Sequence, residues 1–299
     1  MLHCKRKRVT DHKKAFSGNR VFQISHIKDN HPKVHYKEAY EKGKKWCQNQ
    51  MMQDRYIYSE DGLRLHGYFL KTLHAKRVVI LCHGYRGNSF SDFAHVARFL
   101  YENECDLLFI DQRCCGQSEG EYITFGAKEK KDVRDWVYYL AKQSELPIYL
   151  FGESLGAASV LMASEYRLPK QVHGIIADCG FCSMKKQMKD MASKWFHINR
   201  IDLLLLQLMH YGKLVADFQV EEADTLLPLQ RNMIPVLLFH GENDTFVYPE
   251  NSRINYKRCN SEKELVMIPN AKHMCAGYEE PELYREKITA FFKKCDYLP

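Results

Sequence analysis

From residue 78 onward, short unbroken apolar runs alternate with stretches whose apolar positions recur at helical spacing. The runs cover 78–82, 106–110, 148–151, 172–177, 236–240 and 264–268. Strands apolar on both faces belong inside a parallel sheet covered by helices. Between the first two runs, Phe93, Val96, Ala97, Leu100 and Tyr101 share one helical face, as do Val133, Trp136, Val137, Leu140 and Ala141 after the second. The alternation predicts an α/β fold: a mostly parallel, doubly wound central sheet with helices on both faces and right-handed crossovers.

Ahead of this region the pattern differs. Residues 55–70 read as two strands joined at Asp61-Gly62, a hairpin dipeptide whose glycine tolerates positive φ. Residues 36–52 read as a polar helix that packs on the body through Tyr36, Tyr40 and Trp46. Residues 1 to about 30 carry no periodicity, and poor order is expected there. The connection from Asp178 to Pro235 is far longer than an ordinary crossover. Within it Met184, Met188, Met191 and Trp195 follow helical spacing and a second apolar segment runs from Ile201 to Tyr211, so a helical cap inserted at about 181–231 is expected. The expected organisation is a basic N-terminal arm and helix over 1–50 and one domain over 51–299.

Composition narrows the function classes. With 299 residues, 45% hydrophobic and 27% charged, the chain can bury one large core. Its net charge of +7 is uneven, because residues 1–50 hold thirteen Lys or Arg against four Asp or Glu. The basic excess is a tail, expected to be a solvated arm. No nucleic-acid partner is expected, since no basic and aromatic face accompanies it. The basic start runs into polar sequence with no apolar leader segment, and no run approaches the roughly 20 apolar residues of a membrane span. Eleven scattered cysteines argue against a disulfide framework, and a reducing cytoplasmic setting is expected. Cys179-Gly-Phe-Cys182 has metal-ligand spacing but no second pair, so neither metal nor cofactor is expected.

In an open parallel sheet, ligands sit at the carboxyl ends of the strands. The run 148–151 leads into Gly152-Glu-Ser154-Leu-Gly156 and then a small-residue helix. That context suits a nucleophile raised on a strained turn, whose next residue, Leu155, aims its backbone N–H at the attacked oxygen. Serine needs a base within hydrogen-bond reach and an acid to orient that base, in this fold in the chain order Ser, Asp or Glu, His. Asp244 follows the strand at 236–240, and His273 follows the strand at 264–268. Asp178 and Glu242 are rival acids. His83 stands too far before Ser154 for the required order, and His240 is expected to shape the acid loop. Gly84 and Gly87 let the loop after residue 82 fold near Ser154, making Tyr85 N–H a second oxyanion donor. Asp111 and Arg113 read as residues that fix neighbouring loops.

Together, Gly152-Glu-Ser154-Leu-Gly156, His83-Gly84-Tyr85, Asp111-Gln-Arg113, Gly116-Gln-Ser118-Glu-Gly120, His240-Gly-Glu-Asn-Asp244 and His273 resemble the α/β-hydrolase superfamily. The chain looks most like bacterial serine hydrolases of esterase, lipase-like or serine aminopeptidase-like type. The resemblance spans about Asp54 to Lys294, and Cys114-Cys115 departs from it. It implies an α/β-hydrolase fold, a triad of Ser154, Asp244 and His273, and an oxyanion hole from the Tyr85 and Leu155 backbones. The implied activity is cleavage of carboxylic esters with small or medium acyl or aryl groups through an acyl-enzyme. A peptidase or amidase using the same triad is the alternative, and a non-catalytic binding protein on this scaffold a remoter one. Met184, Met188, Met191, Trp195 and Phe196 are the candidate pocket residues of the cap.

Overall fold

The computed structural model describes residues 32–198 and 202–296, so the stretch expected to be poorly ordered lies outside the described residues. Eight strands form one sheet: β1 (Gln53–Tyr58), β2 (Arg64–Leu70), β3 (Arg77–Cys82), β4 (Cys105–Asp111), β5 (Ile148–Glu153), β6 (Val172–Asp178), β7 (Val236–Gly241) and β8 (Lys263–Ile268). Their spatial order is β1-β2-β4-β3-β5-β6-β7-β8. Only β2 runs antiparallel to its neighbours, and β4 through β8 with β3 are parallel. The α-helices are α1 (Lys37–Gln48), α2 (Ser89–Asp92), α3 (Ala97–Glu102), α4 (Glu129–Ala141), α5 (Leu155–Ala163), α6 (Met184–Phe196), α7 (Asp202–Ala216), α8 (Leu226–Arg231), α9 (Glu250–Arg258), α10 (Ala276–Glu279) and α11 (Pro281–Cys295).

The fully apolar runs became strands buried along their whole length because helices cover both sheet faces. On one face, residues of α3 and α11 pack with Val79, Leu81, Phe109 and Phe151. On the other, Val133, Trp136, Val137 and Leu140 of α4 and Val160 and Leu161 of α5 pack with Ile80, Leu108 and Leu150. The helical face expected over 93–101 is broken: α2, a 3-10 turn over Phe93–His95 and α3 share it.

Residues 32–48 pack onto the body. Tyr36 stacks on Tyr278 at 5.5 Å, Trp46 meets Tyr101 edge-on at 5.6 Å, and Tyr40 is buried. The solvated-arm expectation fails at Lys33 and Lys44, both buried. Their ammonium groups lie over aromatic rings, Lys33 over Tyr40 and Tyr278 and Lys44 over Tyr40. Apolar stems and cation–aromatic contact replace the water they lose.

Between β6 and β7 the chain leaves the sheet and returns to the point of departure. Ser183 bridges Asp224, Met184 N donates to Ala223 O, and Thr225 N donates to Cys182 O. Helices α6 and α7 lie within this excursion. Met184, Ala216, Phe218 and Val220 pack against Leu155, Ala158 and Met162 of α5 and against Val247, at the carboxyl end of the sheet. Among the described residues, no helix is long and apolar enough to cross a membrane.

Candidate active site

Ser154 sits between β5 and α5 at φ 54°, ψ −113°, a conformation L-residues avoid. The strain persists because the surroundings over-determine it. Its N–H donates to Asp178 O at 2.9 Å, and its carbonyl accepts the first bond of α5 from Ala158. The flanking glycines answer to close approach. A Cβ on Gly152 would sit 2.3 Å from Gly156 backbone atoms, and one on Gly156 only 1.8 Å from Cys82 O. Any larger residue at either position would push α5 off the sheet.

His273, in the loop after β8, brings Nε2 to 2.9 Å from Ser154 Oγ, and its Nδ1 lies 2.6 Å from Asp244 Oδ2. The Asp244 side chain is fully buried and that of His273 is 12% exposed. Asp244 Oδ1 accepts the N–H groups of Phe246 at 2.8 Å and Val247 at 2.9 Å. Burial alone would raise the Asp244 carboxyl, but the His273 charge and hydrogen bonds from His240 and His273 outweigh it. The group is held well below the usual carboxylate range and stays ionised. A carboxylate on Nδ1 favours that nitrogen as the donor and leaves the Nε2 lone pair facing Ser154 Oγ.

Neither rival acid is hydrogen-bonded to His273. Asp178 accepts from Tyr284 Oη at 2.9 Å, and Glu242 is exposed. His240 bonds Ser252 Oγ at 2.6 Å and Val247 O at 2.8 Å, with Nε2 also 3.3 Å from Asp244 Oδ2, so it braces the acid loop. His83 accepts Gln112 N–H at 3.1 Å and touches its own following carbonyl. Arg113 binds Asp132 through Nε at 2.7 Å and Nη2 at 2.6 Å and also Asp61, while Asp111 accepts from His66 and from Gln117 N.

The loop carrying Tyr85 runs beside Ser154, since a Cβ on Gly84 would lie 3.4 Å from Ser154 Cβ. Asp92 holds that loop by accepting Gly84 N–H at 2.8 Å. Sequence reasoning missed Asp92 because a polar residue inside an apolar helical pattern carries no sign of its target. Leu155 is the first residue of α5, where backbone N–H groups carry no intrahelical bond.

The five candidate pocket residues divide. Met184 is buried against Leu155 and Phe181, and Met188 joins the same cluster. Met191 is half-buried, and Phe196 is 65% exposed. Trp195 packs on Phe246 at 5.2 Å and donates Nε1–H to Thr245 O at 3.2 Å. Phe246 in turn lies over the His273 ring at 4.8 Å.

Behind Ser154, Glu153 is fully buried with both carboxylate oxygens lacking a hydrogen bond. Burial pushes its carboxyl well up, while the Lys33 charge opposes this. His95 Nε2 lies 3.5 Å from Glu153 Oε1. Burial, then the Lys33 charge, drives His95 down to about 3, so it is neutral and Lys33 is the counter-charge.

The ten cysteines among the described residues are free thiols. Cys182 Sγ meets Asn251 Oδ1 at 3.2 Å. Cys179, at φ 47°, instead joins Asp244 and His273 in the one group of three metal-ligating side chains found among the described residues.

A sheet of this topology with a serine on a strained strand-to-helix turn defines a serine hydrolase of the α/β-hydrolase superfamily. Residues 73–233, more than half of the chain, match the family model described as serine aminopeptidase, S33, and the chain belongs to that family. Residues 182–296 also match a model described as PhoPQ-activated pathogenicity-related protein. Among curated relatives, the uncharacterized protein YqkD of Bacillus subtilis is 24% identical over 79% of this chain and 77% of its own. The alpha/beta hydrolase domain-containing protein WAV2 of Arabidopsis thaliana is 25% identical over 82% of this chain and 80% of its own. Among solved structures, the Pyrococcus furiosus esterase Pf2001 superposes with a TM-score of 0.66 at 22% identity, covering 84% of this chain and 95% of that one.

Proposed function

We propose that the protein is a serine esterase acting on carboxylic esters of small or medium acyl or aryl groups. The observation that carries this reading is His273 placed 2.9 Å from Ser154 Oγ by one ring nitrogen and 2.6 Å from Asp244 by the other. His273 Nε2 takes the Ser154 proton as Oγ attacks the ester carbonyl. The N–H groups of Tyr85 and Leu155 hold the oxyanion, each such donor lowering the barrier by about 3 kcal/mol. His273 then returns its proton to the leaving alkoxide, and a water attacks the acyl-serine by the reverse sequence. No cofactor enters these steps.

The segment at about 181–231 acts as a cap over the site, and residues 1–50 form an accessory arm and helix on the domain 51–299. Packing of Met184 and Met188 against Leu155, and the tie of Trp195 to the acid loop, support a role in acyl-group selection. The free thiols support a reducing, cytoplasmic setting.

A fluorescent phosphonate tests the reading. It should label the native protein at Ser154 and fail on Ser154→Ala, and an unlabelled native protein sinks the proposal. The family description favours a second reading, aminopeptidase or amidase activity with the same residues. Faster turnover of aminoacyl anilides than of matched esters would decide for it.

A further inference from the structure

We propose that Cys179, Asp244 and His273 form an inhibitory binding site for a thiophilic divalent cation, Zn²⁺ foremost. Inhibition rests on the proposed role of His273; cation binding itself does not.

One Cys Sγ, one carboxylate oxygen and one imidazole nitrogen lie within 4.8 Å of one another, at the junction of β6 with the acid and base loops. In a tetrahedral zinc site such donors stand about 3.5 Å apart, so the shift needed is of the order of an ångström. Sulfur, nitrogen and oxygen in one set suit Zn²⁺ and exclude Mg²⁺ or Ca²⁺, which take oxygen alone. The left-handed backbone at Cys179 carries its thiol into this cluster, whereas Cys182, three residues on, faces Asn251.

The electrostatics favour a dication. Asp244 brings a buried carboxylate into the cluster, and a carboxylate beside a sulfur and an imidazole nitrogen attracts a cation. On binding, the thiol proton leaves to solvent and a sulfur–metal bond forms. Of the three ligands His273 keeps some solvent exposure, where Cys179 has almost none.

The consequence follows for either imidazole nitrogen. Metal on Nε2 occupies the lone pair that accepts the Ser154 proton. Metal on Nδ1 displaces the proton shared with Asp244 and forces the other tautomer, with the same loss. The cation is thus an inhibitor, and turnover needs it absent.

The test uses the full chain. Co²⁺ is titrated into wild type and followed by the near-ultraviolet thiolate-to-cobalt band, with Zn²⁺ then added as competitor. Ester turnover is measured in parallel at buffered Zn²⁺ and Mg²⁺. The expected result is one equivalent of Co²⁺ per chain displaced by Zn²⁺, and inhibition by Zn²⁺, reversed by chelator and absent with Mg²⁺. In Cys179→Ser and Cys179→Ala the band should vanish, and the Zn²⁺ concentration for half-inhibition should rise at least about tenfold, the lower end of what outer-shell losses cost. Each variant is scored against its own uninhibited rate. A wild type with no thiolate band, or variants equally sensitive to Zn²⁺, overturns the proposal. A Cys179-dependent band in a protein that no phosphonate labels would leave the cation site standing and remove the esterase reading.

Discussion

Gln187 of α6 donates its side-chain N–H to the carbonyl of Phe246 at 2.7 Å, and the Phe246 ring lies 4.8 Å from that of His273. The inserted segment is therefore bonded to the loop that carries Asp244, two residues before Phe246. The bond is part-buried, so its loss should cost about 0.5–1.5 kcal/mol.

Gln187→Ala should loosen α6 against that loop while leaving Ser154, Asp244 and His273 in place. The expected outcome is a raised KM for a medium-chain ester with a smaller change in kcat, and retained phosphonate labelling. Steady-state kinetics across an acyl-length series checks it. Loss of labelling would instead make Gln187 part of the support of the triad.

Asp244→Asn keeps the volume but offers Nδ1 an amide in place of an anion. The preferred imidazole tautomer reverses, and Nε2 no longer accepts from Ser154. Turnover should fall by roughly 10⁴-fold, the scale of such a change in a serine triad. Glu242→Gln, at an exposed position in the same loop, should leave the rate within a few-fold. Comparable losses in both variants would refute the assignment of the acid.

Lys33 supplies the charge opposite Glu153, the residue before the nucleophile, from a segment ahead of the family-matched residues 73–233. Lys33→Met removes the cation that draws the buried Glu153 carboxyl toward its ionised form and should destabilise the fold. Lys33→Met with Glu153→Gln removes both interacting groups and should recover part of that loss. Urea unfolding of both single variants and the double variant measures the coupling. Additive losses would mean that the two side chains do not act on each other.

His95 carries the pH dependence of the same cluster. Its folded-state value is depressed from the ordinary 6.5 to about 3, by burial first and the Lys33 charge next. Between those values the unfolded chain binds the proton and the folded chain does not. The contribution of His95 is therefore full above pH about 6.5 and is lost as pH falls toward 3, by a few kcal/mol in all. In His95→Asn the decline in unfolding free energy between pH 7 and pH 5 should be shallower than in wild type. Parallel declines would show that His95 is protonated in the fold.

Much of the fold was legible in local pattern. The runs at 78–82, 106–110, 148–151 and 236–240 are each within a residue of an observed strand end, because a strand buried on both faces has no polar position to obscure it. The helical face over 93–101 was misread as continuous. Asp92 is drawn to the Gly84 N–H and the Val96 backbone leaves helical geometry, which the apolar spacing does not record. Ser154, Asp244 and His273 could be singled out as candidates because each follows a strand run, and the structure places them within hydrogen-bond reach of one another.

The sequence by itself determined the alternation of strands and helices, the glycines that let the elbow close, and which residues stand at strand ends. These are matters of neighbours within a few positions, where side-chain period and steric limits act directly. Only the tertiary structure decided that Lys33 lies behind the elbow, that Cys179 rather than Cys182 meets His273, and that Gln187 and Trp195 hold the acid loop. Those meetings join residues tens to more than a hundred positions apart. They are set by the order of the strands and by how α6 and residues 32–48 settle on the sheet, and no local periodicity encodes that placement.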